Sequence, residues 1–119
     1  MPTLIKKPHV VEAEGNLSMM VQEYVGRVNS ETSAVSIARV LSPEGRIETG
    51  KTPEYDEYSL VLMGTLRIES RDRTIDVCAG QAVIVPKGRW VRYSTPEVTE
   101  YIAVCLPAFA PRMMCRDME

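Results

Sequence analysis

Lys51, Tyr55, Glu57 and Ser59 are the residues of this chain whose types and spacing could do chemistry together. They occupy alternate positions in a stretch leading into the apolar run Tyr58 to Met63, and in an extended strand side chains two apart share a face. A carboxylate beside an ammonium is a proton acceptor next to a fixed positive charge. With Glu57 as general base or acid, Lys51 holding a substrate's negative charge, and Tyr55 or Tyr93 donating a hydrogen bond, the set could abstract a proton next to a carbonyl. That is the step of an isomerase or lyase. The structural reading is that Glu57 and Lys51 only satisfy each other, since an unpaired buried charge costs several kcal/mol unless its pKa shifts. Arg46 and Arg89 are alternative partners for Glu57.

The elements that must position these residues read as strands. Ala34 to Leu41 alternates, Ser42-Pro43-Glu44-Gly45 makes a turn, and Arg46-Ile47-Glu48 alternates again. Tyr58 to Met63 reads as a buried strand, followed by Thr65 to Glu69, a polar hairpin tip at Ser70 to Arg73, and Thr74 to Val77. Ala82 to Val85 is apolar on both faces, which predicts a packed interior side and a covered exterior side. Trp90 to Ser94 and Thr99 to Leu106 complete the set, and Pro107 stops the last strand. The sum is a small antiparallel barrel over 33–107. Residues 1–32 form an arm in which Leu17, Met20, Val21, Tyr24 and Val25 recur at three and four, predicting a turn or two of helix or an extended strap across the barrel. The tail, 108–119, carries Phe109, Met113, Met114 and Met118 and either docks by them or frays.

Composition bounds the function. A chain of 119 residues is one domain, 1–119, able to bury a core without staples. A net charge of -2 gives no support for nucleic-acid binding, and no apolar run reaches membrane-spanning length. The amino terminus lacks the apolar core and cleavage site of a signal peptide, so a cytoplasmic protein is expected. Three cysteines without a C-x-x-C pair predict reduced thiols, with Cys105 packed in its strand and Cys115 in a polar tail.

The spacing of Glu57, Gly64, Gly80, Pro86 and Gly88 resembles the two motifs of the cupin superfamily (RmlC-like). The segments Asp56 to Leu66 and Tyr101 to Phe109 look like those of single-domain cupins similar to the ethanolamine-utilisation, EutQ-type proteins. The resemblance implies an all-β double-stranded β-helix, or jelly-roll, antiparallel barrel with an N-terminal arm and short C-terminal tail, and a homodimer in which the arm packs on the neighbouring subunit. It also implies that Lys51, Pro53, Tyr55, Glu57, Ser59 and Val61, with Val91 and Tyr93, point into the barrel. In that family two histidines, the glutamate and a final histidine bind a metal. Here the three histidine positions hold Lys51, Pro53 and Val91, which offer a divalent ion no donors.

The expected function is therefore binding of a small polar or anionic organic molecule without metal or other cofactor. Glu57, Lys51 and Tyr93 are the candidate catalytic residues, and Tyr55, Arg46, Arg89, Ser59 and Trp90 the candidate substrate contacts. Arg89 and Arg92, flanking Trp90, could clamp a carboxylate at the mouth. A non-catalytic sensor is the first alternative. The second is a metal enzyme with substitute donors drawn from Glu48, Glu54, Asp56, Glu57, His9 and Cys115. No glycine-rich phosphate loop is present to support phosphoryl transfer.

Overall fold

The alternation in Asp56–Met63 carries directly into three dimensions: Glu57, Ser59 and Val61 are buried, while Tyr58, Leu60 and Leu62 on the opposite face are exposed. A computed structural model describes residues 1–118. Its ten strands are β1 (His9–Ala13), β2 (Met19–Val25), β3 (Ser36–Ser42), β4 (Arg46–Ile47), β5 (Asp56–Met63), β6 (Thr65–Ser70), β7 (Thr74–Cys78), β8 (Ala82–Val85), β9 (Val91–Thr95) and β10 (Thr99–Leu106). They form two antiparallel sheets, ordered β1-β2-β3-β10-β5-β8 and β4-β9-β6-β7. Among the described residues no helix is long and apolar enough to cross a membrane.

The two sheets enclose a core built on Val61, Leu66, Ile68, Val91, Tyr93 and Tyr101. Each buried aliphatic contributes about 1.5–3 kcal/mol. The central strand of the larger sheet is β10, paired with β3 on one side and β5 on the other, with a bulge at Glu100/Tyr101. It sets Cys105 opposite Glu57 and Ala103 opposite Ser59. That register fixes which side chains meet inside.

Three expectations change. The arm is a β-hairpin, β1 with β2, extending the large sheet along β3. The three-and-four spacing lost to the ladder offered by the edge of β3, where Val21 sits opposite Val40 and Met20 opposite Leu41. The hairpin turn is pinned to the barrel by Asn16, which donates from Nδ2 to the Gly45 carbonyl (2.9 Å) and accepts from the Ile47 N–H (2.8 Å). Second, Tyr58 to Met63 is buried on one face only, and third, the exterior of Ala82–Val85 is uncovered, with Ile84 exposed. The tail docks: it makes a 3-10 turn at Pro111–Met113 and buries Ala110 and Met113 against Tyr55 and Cys105.

Gly64 closes the β5–β6 turn at a φ of +82°, and a Cβ there would collide with the Val98 carbonyl oxygen and the Thr99 hydroxyl. Gly80 has a similar φ of +84° but open space around it. Gly80→Ala should therefore cost only the left-handed strain, about 1–2 kcal/mol, while Gly64→Ala should cost clearly more. Urea denaturation of the two variants measures the difference, and equal losses would disprove the steric account.

Candidate functional site

The site begins with the segment 50–54, held on two sides. Lys51 exchanges both backbone hydrogen bonds with Val91, each 2.9 Å, which fastens it to the start of β9. On the other side the tail pairs with it: Thr52 N–H donates to the Cys115 carbonyl (3.1 Å), Glu54 N–H to Met113 (2.8 Å), and Asp117 N–H to Gly50 (2.8 Å). At Gly50 a Cβ would lie 2.5 Å from Asp117 Oδ2 and 2.6 Å from Trp90 Nε1, so any side chain there would have to displace these two. From this strap the alternation Lys51, Pro53, Tyr55, Glu57, Ser59, Val61 is buried throughout, and Val91 and Tyr93 are buried on β9.

Glu57 and Lys51 are each 7% exposed. Ser59 Oγ donates to Glu57 Oε2 at 3.0 Å, and Cys105 Sγ approaches Oε1 at 3.9 Å. Lys51 Nζ stands 4.6 Å from the centroid of the Tyr93 ring, a cation–π contact. Among the described residues no carboxylate comes within 4.0 Å of Nζ. The two charges thus share one enclosed end of the barrel without a direct ion pair.

Burial alone would lower the lysine's pKa, but the negative charges of Glu57 and then Glu48 outweigh it, and Lys51 is held above the ordinary lysine value. Burial drives the Tyr55 phenol up, with Lys51 pulling it partly back. Tyr93 and Tyr101 are raised by burial too, reinforced by Glu57 at Tyr93 and by Glu48 and Glu57 at Tyr101. The Cys105 thiol is pushed up to about 12, first by burial and then by Glu57. Near neutral pH the Lys51 ammonium stands among the protonated Tyr55, Tyr93, Tyr101 and Cys105 donors, with the Glu57 side chain beside it.

Glu57, Lys51, Tyr93, Tyr55 and Ser59 are brought together here; Arg46, Arg89 and Trp90 are placed differently. Arg46 is buried but committed to structure. Its Nε and Nη2 donate to the Leu17 (2.9 Å) and Glu14 (2.8 Å) carbonyls of the arm turn, while Nη1 lies 2.8 Å from Glu48 Oε2 in ion-pair rather than hydrogen-bond alignment. Arg89 is exposed, and Arg92 pairs with Glu69 at 2.8 Å, so no two-arginine clamp forms. Trp90 lies under Arg71, 4.2 Å from ring centroid to guanidinium carbon, and donates to Asp117 (2.8 Å), locking the tail. Sequence reasoning missed Cys105 and Tyr101 as site neighbours, although both lie on the alternating face of the last strand.

A cupin metal does not fit these residues. Of the positions that would supply donors only Glu57 has one, an ammonium faces it, and the nearest thiol is held protonated. Nor do substitute donors gather: among the described residues no three of His, Cys, Asp and Glu converge, His9 lies exposed in the arm, and Asp56 accepts from the Lys87 N–H (2.9 Å). Two open grooves lie elsewhere, one of about 550 Å³ between the arm and Leu41, Pro43 and Val98, the other of about 230 Å³ at Arg27 and Glu31 to Ser33.

Two antiparallel sheets closed around inward-facing polar side chains are the cupin jelly roll. An RmlC-like cupin from Shewanella frigidimarina shares the fold, with a TM-score of 0.72 at 14% identity over 89% of each chain. Within that class the chain belongs to the family of Ethanolamine utilisation protein EutQ, whose model matches residues 18–110. It is 37% identical over 95 residues to a Myxococcus xanthus protein named Endoribonuclease YbeY, covering 78% of this chain and 32% of that one. It is 35% identical over 57 residues to Acetate kinase EutQ of Clostridioides difficile, covering 48% and 36%. The chain therefore spans about a third of the length of these curated relatives.

Removing one charge strands the other. Lys51→Met should destabilise the fold by about 3–5 kcal/mol, and Lys51→Met with Glu57→Gln by less than the sum of the two single changes. Chemical denaturation of the four proteins reads the coupling, and strict additivity would show that the charges do not interact. The pH dependence has a definite sign. The unfolded thiol titrates near its ordinary 9.0 while the folded one holds its proton to about 12. Stability should thus be intact below pH 9.0 and fall as pH rises through this window, by on the order of 1 kcal/mol per unit for this group. Lys51, also raised, adds to the fall in the same direction. Cys105→Ala should flatten the profile, and an unchanged slope would refute the assignment.

Proposed function

We propose that this chain binds a small carboxylate-bearing molecule at the Lys51 end of the barrel, without a metal ion, and acts as a binding module. The observation that carries the reading is the Lys51 ammonium: nearly buried, kept protonated, and without a carboxylate oxygen within 4.0 Å among the described residues. A carboxylate entering there would complete the lysine's coordination, with the protonated Tyr55 hydroxyl as a further donor. The name Acetate kinase carried by a relative points to the same class of ligand, a short carboxylate. Binding is favoured over proton transfer because both oxygens of Glu57 already face protein donors, Ser59 and Cys105. Since Ala110 and Met113 pack on Tyr55 and Cys105, entry from that side requires the tail to swing aside.

Thermal melting of the chain against acetate, propionate, succinate and inorganic phosphate tests this. At a hundredfold excess over the dissociation constant a carboxylate should add about 2.7 kcal/mol of stability. The gain should vanish in Lys51→Met and persist in Arg89→Ala. No stabilisation of the parent chain by any carboxylate, or an unchanged gain in Lys51→Met, would overturn the proposal. Exchange of a bound ligand's α-proton with D2O, abolished by Glu57→Gln, would instead assign proton-transfer chemistry to the site.

A further inference from the structure

The tail is held in two different ways along its length. Its root is fixed to the barrel: Ala108 N–H donates to the Ser33 carbonyl (3.0 Å), Phe109 N–H to Ser36 Oγ (2.9 Å), and the Phe109 ring meets Tyr55 edge to face at 5.8 Å. Residues 111–117 are held more lightly. Thr52, Glu54 and Gly50 bond to their backbone, Trp90 Nε1 donates to Asp117 Oδ2, and Arg27 Nη2 reaches Met113 Sδ at 3.9 Å. Among the described residues no ion pair ties this stretch to the barrel. Within it Cys115 holds a φ of +49°, a left-handed conformation that a residue with a side chain adopts at a cost. Release would relieve that strain and turn the freed backbone groups toward water.

What this stretch buries is a single side chain. Met113 is 9% exposed and packs with Tyr55, Cys105 and Ala110, whereas Pro111, Arg112, Cys115, Arg116 and Asp117 are exposed. Tyr55 connects that apolar contact to the Lys51 ammonium, whose charge acts on its phenol. The thioether of methionine is unbranched and about as long as a butyl chain. The slot it fills is therefore apolar, shaped to an unbranched chain, and one tyrosine away from a buried cation.

We infer that Met113 is a built-in plug: tail docking and ligand binding exclude one another, and the ligand is an unbranched short-chain carboxylate whose aliphatic end takes the place of the thioether. The inference rests on the carboxylate reading of the Lys51 end and adds to it the ligand's shape and a control on its entry. Such coupling is reciprocal. Whatever loosens the tail tightens the ligand, and the ligand loosens the tail by the same factor.

Trp90 is the only tryptophan and its indole is bonded to the tail, so its emission reports docking. Butyrate titrated into the full chain should shift that emission and hasten tryptic cleavage after Arg112, while branched pivalate should bind more weakly. Met113→Ala and Asp117→Ala, made separately, should each tighten butyrate about tenfold. Should Met113→Ala fail to fold, Asp117→Ala, at an exposed position, carries the test. Stabilisation of the parent by butyrate with emission, cleavage and the Asp117→Ala affinity all unchanged would overturn the plug and leave the carboxylate reading standing. Pivalate binding as tightly as butyrate would overturn the assignment of the slot to Met113. No stabilisation of the parent or of Asp117→Ala by any carboxylate would overturn both readings.

Discussion

The Lys51 ammonium and the Glu57 side chain share the interior of this barrel, and much of the surrounding structure serves to hold them there. Isolated, either would cost several kcal/mol to bury. The solution is not a tight ion pair. Glu57 takes donors from Ser59 and Cys105, Lys51 rests on the Tyr93 ring, and the charge of Glu57 acts with that of Glu48 to raise the lysine's pKa against burial. Where the cupin class places a metal ion among imidazoles, this chain puts a cation of its own.

The strands that hold this arrangement also shape the exterior. In β5 and β10 one parity of residues delivers Glu57, Ser59 and Cys105 to the lumen, and the other delivers Tyr58, Leu60 and Leu106 to the outer face. A one-residue slip would exchange the two sets, exposing the carboxylate and burying the apolar side chains. The bulge at Glu100/Tyr101 and the positive φ of Gly64, at the same end of the two strands, accompany the register that prevents it.

Much of this was legible in the sequence because it rests on a period of two. The last strand spans Thr99–Leu106 as read, and the inward series from Lys51 to Val61 is buried position for position. The spacing of Glu57, Gly64, Gly80, Pro86 and Gly88 led to the right superfamily. What was not legible depended on distant neighbours. The helical spacing of Met20, Val21 and Tyr24 was overruled by a strand edge supplied by β3. Arg46 read as a ligand contact but is held by the carbonyls of Glu14 and Leu17, and Cys105 meets Glu57 only because two strands remote in sequence are paired. Strand periodicity says which way a side chain points, not what waits there.

Arg46 links the hairpin turn of the arm to the charged lumen. One edge of its guanidinium grips the hairpin turn of the arm, and the remaining nitrogen faces Glu48, whose charge also acts on Lys51 and Tyr101. One carboxylate, Glu48, thus stands between the anchor of the arm and the buried groups of the chamber, and its charge is shared by both.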